Sequence, residues 1–222
     1  IGNVGFRYRN VGDYSESLEW YLKMARGDPY HRYTAMHLSS AYFLLEEMET
    51  SIKILEEGLE RIPDSFECIR LLVNLYNFRG DRERSKKHLD LLFERRPDDN
   101  RKYWVATDYY YYIGDLNRAL QNWKQLESPS TNQKLDGAAI YHLLGNSKNR
   151  DALLTETEMW YSKWKDKAPE DWFSMVGLAA IAAMRGETSL ALDNMQEAFS
   201  LGYPWHWGWE NNPIFFEVRS TE

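Results

Sequence analysis

The residue types that could do acid–base, metal or nucleophilic chemistry are present but scattered. The five histidines are His31, His37, His88, His142 and His206, and none stands at a metal-ligand spacing from another histidine or from the sole cysteine, Cys68. Cys68 precedes the apolar Ile69 on a predicted helix, which suits packing better than a reactive thiol. Asp98-Asp99 falls in a predicted turn, where helix capping explains the pair better than proton transfer. There is no phosphate-cradling glycine loop and no Gly-x-Ser-x-Gly. No catalytic residue, metal or cofactor is expected. Arg79, Arg82, Arg84, Lys86 and Lys87 form a basic run, interrupted by Asp81 and Glu83. A solvated helix face is the reading for that run, and the net charge of −7 also argues against nucleic acid.

The elements behind this chemistry-poor surface are clearer. Phe66 to Pro97 reads as two helices and a short turn. The first buries Ile69, Leu72, Val73 and Tyr76 at helical spacing, Gly80-Asp81 breaks it, and the second turns Leu89 and Leu92 inward before Pro97 ends it. The pattern recurs. Pro29, Pro63 and Pro97 stand 34 residues apart, as do Gly80-Asp81 and Gly114-Asp115. Gly12-Asp13 lies two such steps before Gly80-Asp81, and Glu46-Glu47 fills the slot between them. A fixed period of this size marks a helical-repeat architecture.

The residues at the repeated positions resemble those of tetratricopeptide-repeat (TPR) proteins. The second unit supplies Leu38, Ser39, Tyr42, Ser51, Leu55, Gly58 and Pro63, and the third Leu72, Tyr76, Ser85, Leu89 and Pro97. The fourth supplies Tyr103, Ala106, Thr107, Tyr110, Ala119, Trp123 and Leu126, and the last Leu178, Ala179, Ala191, Met195 and Ala198. The resemblance implies an all-α fold: a right-handed α-α superhelical solenoid of about six helix-turn-helix units with a C-terminal cap. The units are expected at about 1–29, 31–63, 66–97, 99–127, 132–169 and 171–202, forming one solenoid, with the cap at 203–222. In the fifth unit Asp151 is expected to cap a second helix reaching Lys167, with Trp160 and Trp164 on one side of it.

A hydrophobic content of 43% is enough for a continuous core, and aromatics reach 15%. No apolar run is long enough for a membrane span. A single cysteine fits a reducing compartment, so a cytoplasmic protein is expected. The chain opens on Ile1, with Val4, Gly5 and Tyr8 already in first-helix slots, and reads as a piece of a longer bacterial protein.

In TPR proteins the first helices line a groove that binds protein or peptide ligands. Carried onto this chain, that face takes Phe6 and Arg9, then Tyr33, Met36, Ser40 and Phe43, then Arg70, Asn74 and Asn77, then Arg101, Trp104, Asp108 and Tyr111. His142 is a further candidate from the fifth unit. Arginine and aromatics are common interface anchors, and asparagine amides can bond an extended backbone. Arg70 and Asn74 resemble one corner of the carboxylate clamp of some TPR proteins, but Val105 replaces the next asparagine and leaves the clamp incomplete. In the last unit the same positions hold Phe173, Val176, Ala180 and Ala183, an apolar face that the tail or another helix should cover.

Two functions follow from the resemblance. One is a scaffold binding a peptide or partner domain in the groove. The other is the sensor or oligomerisation module of a bacterial transcriptional regulator or signalling enzyme, autoinhibited by its Trp-rich tail. In that tail Asn212-Pro213 is expected to start a short helix with Ile214, Phe215 and Val218 inward. Trp205, Trp207 and Trp209 form either part of the cap or a binding patch.

Overall fold

The computed structural model describes residues 2–203 and 206–220, with the backbone alone for 206–208. The fold is all-α, with no strand among the described residues. The helices are α1 (Gly2–Asn10), α2 (Tyr14–Gly27), α3 (Thr34–Leu44), α4 (Met48–Arg61), α5 (Phe66–Phe78), α6 (Arg82–Arg95) and α7 (Arg101–Tyr112). There follow α8 (Leu116–Trp123), α9 (Thr131–Leu143), α10 (Ser147–Lys167), α11 (Trp172–Arg185), α12 (Thr188–Ser200) and α13 (His206–Asn211). A 3-10 turn (Pro213–Phe215) and α14 (Phe216–Arg219) end the described chain. No described helix is long and apolar enough to cross a membrane.

The repeated Gly-Asp pair is a single backbone device. Gly12, Gly80 and Gly114 take φ of 79°, 80° and 83°, the left-handed region that terminates a helix. The following Asp13, Asp81 and Asp115 then cap the next helix, each accepting a backbone N–H three residues on at 3.1 Å. Between α3 and α4 the slot holds Glu46-Glu47. Glu46 takes φ of 63° without glycine's freedom, and the Glu47 side chain makes no cap hydrogen bond.

The same glycine–cap logic moves one predicted boundary. Gly145 adopts φ of 71° and Asn146 accepts from the Asn149 amide at 3.2 Å. Helix α10 therefore starts at Ser147, and Asp151 lies inside it rather than capping it.

The chain divides into two compact units, Ile1–Tyr109 and Tyr110–Glu222. In the first, α1 pairs with α2, α3 with α4 and α5 with α6. Each pair is fastened by a buried serine from its second helix. Ser17, Ser51 and Ser85 donate to the carbonyls of Gly5, Ser39 and Val73, each 12 residues back, at 2.8, 2.9 and 2.7 Å. Small side chains there let the helices approach, and the hydroxyl finds its acceptor on the facing helix. Arginines tie successive pairs. Arg61 Nη1 reaches the Pro29 carbonyl at 3.4 Å, Arg95 Nη1 that of Pro63 at 3.1 Å and Arg96 Nη1 that of Asp64 at 2.9 Å, all 32 residues back. Leu55, Cys68, Leu72 and Tyr76 fill the interior. Truncating a fully buried leucine such as Leu72 to alanine costs on the order of 2–5 kcal/mol in such cores.

In the second unit α9 pairs with α10 and α11 with α12. Its core gathers Ile140, Leu154, Met175, Ile181, Met184 and Met195. Gly177 is required by contact: a Cβ there would lie 2.4 Å from the Tyr161 ring. The tail joins this core, with Ile214, Phe215 and Val218 buried as the sequence suggested. Trp205 and the side chain of Trp207 lie outside the described residues, whereas Trp209 packs on Phe215 at 4.8 Å.

Candidate functional site

The first-helix residues fall into two groups. In the first unit they form a half-exposed network on α5 and α7. Arg70 Nε and Nη2 donate to Glu67 Oε2 at 3.2 and 3.1 Å, and the guanidinium lies 5.1 Å from the Trp104 ring centroid. Arg101 approaches Glu67 from the other side at 3.7 Å and lies 3.9 Å over Phe66. Arg101 also donates to both oxygens of Asp99, at 3.0 and 2.8 Å. That contact, foremost, holds the Asp99 carboxyl well below the usual carboxylate range. Two opposing carboxylates and two aromatic faces fix Arg70 and Arg101 before any ligand arrives, which lowers the ordering cost of binding.

Asn74 and Asn77 lie further along α5, half-buried. Their side-chain amides make no hydrogen bond to any described residue, so both donor and acceptor capacity remain. Asp108 and Ser40 are half-buried on α7 and α3.

The earlier helices contribute less uniformly. Phe6 is 43% exposed and carries the Arg9 guanidinium 4.6 Å from its centroid. Tyr33 is the residue before α3 and tilts against His37 at 6.3 Å. His37 stacks on the buried Tyr21 at 4.7 Å, and its Nδ1 is buried without a hydrogen bond. Burial, with Arg9 and His31 nearby, lowers this imidazole to about 4. Met36 is half-buried, and Phe43 packs toward Phe78 at 6.1 Å beside the first unit's core.

Tyr111 belongs to the second unit. It is 8% exposed, and its hydroxyl donates to Asn212 Oδ1 in the tail at 2.6 Å. Burial pushes the phenol well above its usual range. The 3-10 turn that follows Asn212 packs on α11, where Ala180 and Ala183 are buried. The covering that the composition called for is thus shared: Phe173, at the start of that face, meets Trp160 and Tyr161 of α10. His142 on α9 is half-buried, bonded to Arg150 at 3.3 Å and close enough to Glu217 of the tail to feel its charge.

Sequence reasoning missed two residues. Asn212 was legible only as a helix cap, not as the partner of a tyrosine 101 residues away. Asp136 lies on α9, and burial raises its carboxyl to about 7, close enough to Tyr111 and Tyr161 to raise both phenols. The available signal was a lone acid between Leu135 and the small, apolar run Gly137-Ala138-Ala139-Ile140.

Three of the five basic residues from Arg79 to Lys87 have acidic partners. Arg79 meets Glu49 at 2.9 Å, Arg84 meets Asp81 at 3.4 Å and Lys86 meets Asp90 at 2.5 Å. Cys68 is 2% exposed, and burial raises its thiol pKa. Among the described residues no three His, Cys, Asp or Glu side chains cluster to hold a metal.

No protein-family model matches the sequence, and the search of curated proteins gave no match. Solved structures do match. A chain of the APC/C hetero-tetramer Cut9–Hcn1 is similar over 97% of this chain, with a TM-score of 0.62 and 12% identity. This chain spans only 41% of the length of that one. A thermophilic TPR protein from Thermus thermophilus gives a TM-score of 0.57 at 18% identity, over 86% of this chain and 96% of that one. A tetratricopeptide repeat protein from Parabacteroides merdae gives 0.53 at 14% identity, over 99% of this chain and 82% of that one. At these identities the likeness is one of fold, and the fold is the all-α helical repeat of TPR proteins.

Proposed function

We propose that this chain, which has the tetratricopeptide-repeat fold, is a protein-interaction module. Its ligand is a peptide or partner domain bound on the first-helix face of the first unit. The observation that carries the reading is the network Glu67–Arg70–Trp104–Arg101 beside Asn74 and Asn77. Braced arginines and an aromatic ring supply anchors, and two uncommitted amides supply backbone hydrogen bonds. The contributions of Phe6, Arg9, Tyr33, Met36, Ser40, Phe43 and Asp108 are positional, extending the same face. The test is affinity capture with the wild-type chain beside an Arg70→Glu/Trp104→Ala double variant of equal helicity, followed by titration of the retained protein. Binding at least tenfold weaker to the variant supports the reading. Equal binding to both overturns it.

One observation favours a second, regulatory reading. The tail is held by Tyr111 and lies on the apolar face of α11, where the last unit would otherwise present a binding surface. A module that folds its own terminus onto such a face is built to have its occupancy changed, as a sensor or oligomerisation module would. Amide exchange protection in residues 212–219 that is lost on adding a bound partner supports this reading. Protection unchanged by the partner counts against it.

A further inference from the structure

We propose that the first-helix face of the second unit is a binding site for a short apolar turn of the form Asn-Pro-Ile-Phe, and that residues 212–218 occupy it as the chain's own displaceable ligand. The inference deepens the regulatory reading and is independent of the Arg70–Trp104 surface.

The tail is read in two ways at once. Its apolar side chains Ile214, Phe215 and Val218 are 6%, 3% and 2% exposed. They rest on α11 and α12, the last helix pair, which any terminal cap would cover. Its polar contact goes elsewhere. Tyr111 lies in the last turn of α7, and its hydroxyl donates to the Asn212 side-chain oxygen at 2.6 Å. That same oxygen accepts the Ile214 amide at 3.3 Å, which shapes the turn, and Pro213 fixes the backbone at its first position. Covering the last pair does not require a hydrogen bond to α7. A side-chain amide held by a buried phenol selects a particular residue, as a ligand site does.

The floor also suits a guest. Ala180 and Ala183 are the small residues of that face on α11, so a turn with bulky side chains can seat against the helix surface. Removing the tail would leave Tyr111 without its acceptor and expose this floor. A segment of the same chemistry, whether from a partner or supplied as a peptide, satisfies both. A tethered tail has the advantage of high effective concentration, so the site reads as occupied until a better ligand arrives.

The test uses the full chain and a fluorescent peptide copying residues 211–220. The loosened chain carries Ile214→Asp and Phe215→Asp in its own tail; a milder version carries Asn212→Ala alone. Helicity is measured first. The expected result is micromolar peptide binding by the loosened chains and at least tenfold weaker binding by the wild type. Adding Tyr111→Phe to a loosened chain should weaken the peptide severalfold, and a peptide with alanine at the Asn212 position should lose more, because the turn's own cap goes with the acceptor. Absence of binding to loosened chains that remain helical overturns the proposal, as does equal binding by wild type and loosened chains. Loss of helicity in both loosened chains also overturns it, because the tail would then be an inseparable part of the core.

Discussion

The Tyr111 hydroxyl and the Asn212 side-chain oxygen meet at 2.6 Å across 101 residues of chain. Tyr111→Phe removes the donor while leaving Asn212 Oδ1 bonded to the Ile214 amide, so no buried acceptor is orphaned. The cost should therefore be modest, about 1 kcal/mol. Asn212→Ala should cost more, since it removes both the acceptor and the turn's cap. A double-mutant cycle by urea unfolding should return a coupling of about 1 kcal/mol. Strict additivity of the two variants would show that this contact is energetically idle.

Glu46 and Glu47 occupy the slot filled elsewhere by Gly-Asp. Glu46→Gly relieves a left-handed backbone at a side-chain-bearing residue, and Glu47→Asp supplies the missing cap for α4. Each should stabilise by about 0.5–1 kcal/mol, and the pair should raise Tm by several degrees. A lower Tm in the double variant would mean that these glutamates make contacts the local geometry does not reveal.

His37 makes the first unit sensitive to acid. Its imidazole falls to about 4 in the folded chain through burial, with Arg9 and His31 adding to the shift, against an ordinary value of 6.5. The folded state thus prefers the neutral ring. Its contribution to stability is complete above pH 6.5 and is lost as the pH falls toward 4. His37→Phe keeps the stack on Tyr21 and removes a buried Nδ1 that has no partner. Its Tm should fall less than that of wild type between pH 7 and pH 4.5, and parallel curves would refute the assignment.

Asp136 acts in the opposite sense. Burial raises its carboxyl from 3.8 to about 7, so the folded state prefers it protonated. Stability from this group is present below about pH 4 and is lost as the pH rises through 7. Asp136→Asn should raise Tm at pH 8, and the gain should shrink steadily toward pH 4. A gain independent of pH would point to packing rather than charge.

The repeat phase was legible because glycine, proline and capping aspartate answer local backbone demands, and local demands are written locally. Gly80-Asp81 announces its turn whatever surrounds it. The start of α10 was misplaced because Asn146 and Asp151 are both competent caps, and the deciding fact was the left-handed Gly145 just before Asn146. The first-helix side chains could be set out by spacing alone. Their partners could not. Nothing near Arg70 in sequence says that Trp104 will lie beneath it, and nothing near Tyr111 announces Asn212. Asp136 showed only as a lone acid beside an apolar run, and its raised carboxyl comes from burial that only the fold creates.

The arginines that reach back 32 residues to Pro29, Pro63 and Asp64 act as a ruler. Each spans one repeat and ends on a backbone carbonyl, so it measures chain length rather than side-chain identity. A single residue inserted between Pro63 and Arg95 would put the guanidinium out of reach of its mark. Chain grafts in the first unit should therefore tolerate exchange of whole 34-residue segments cut at the prolines, and resist cuts made anywhere else.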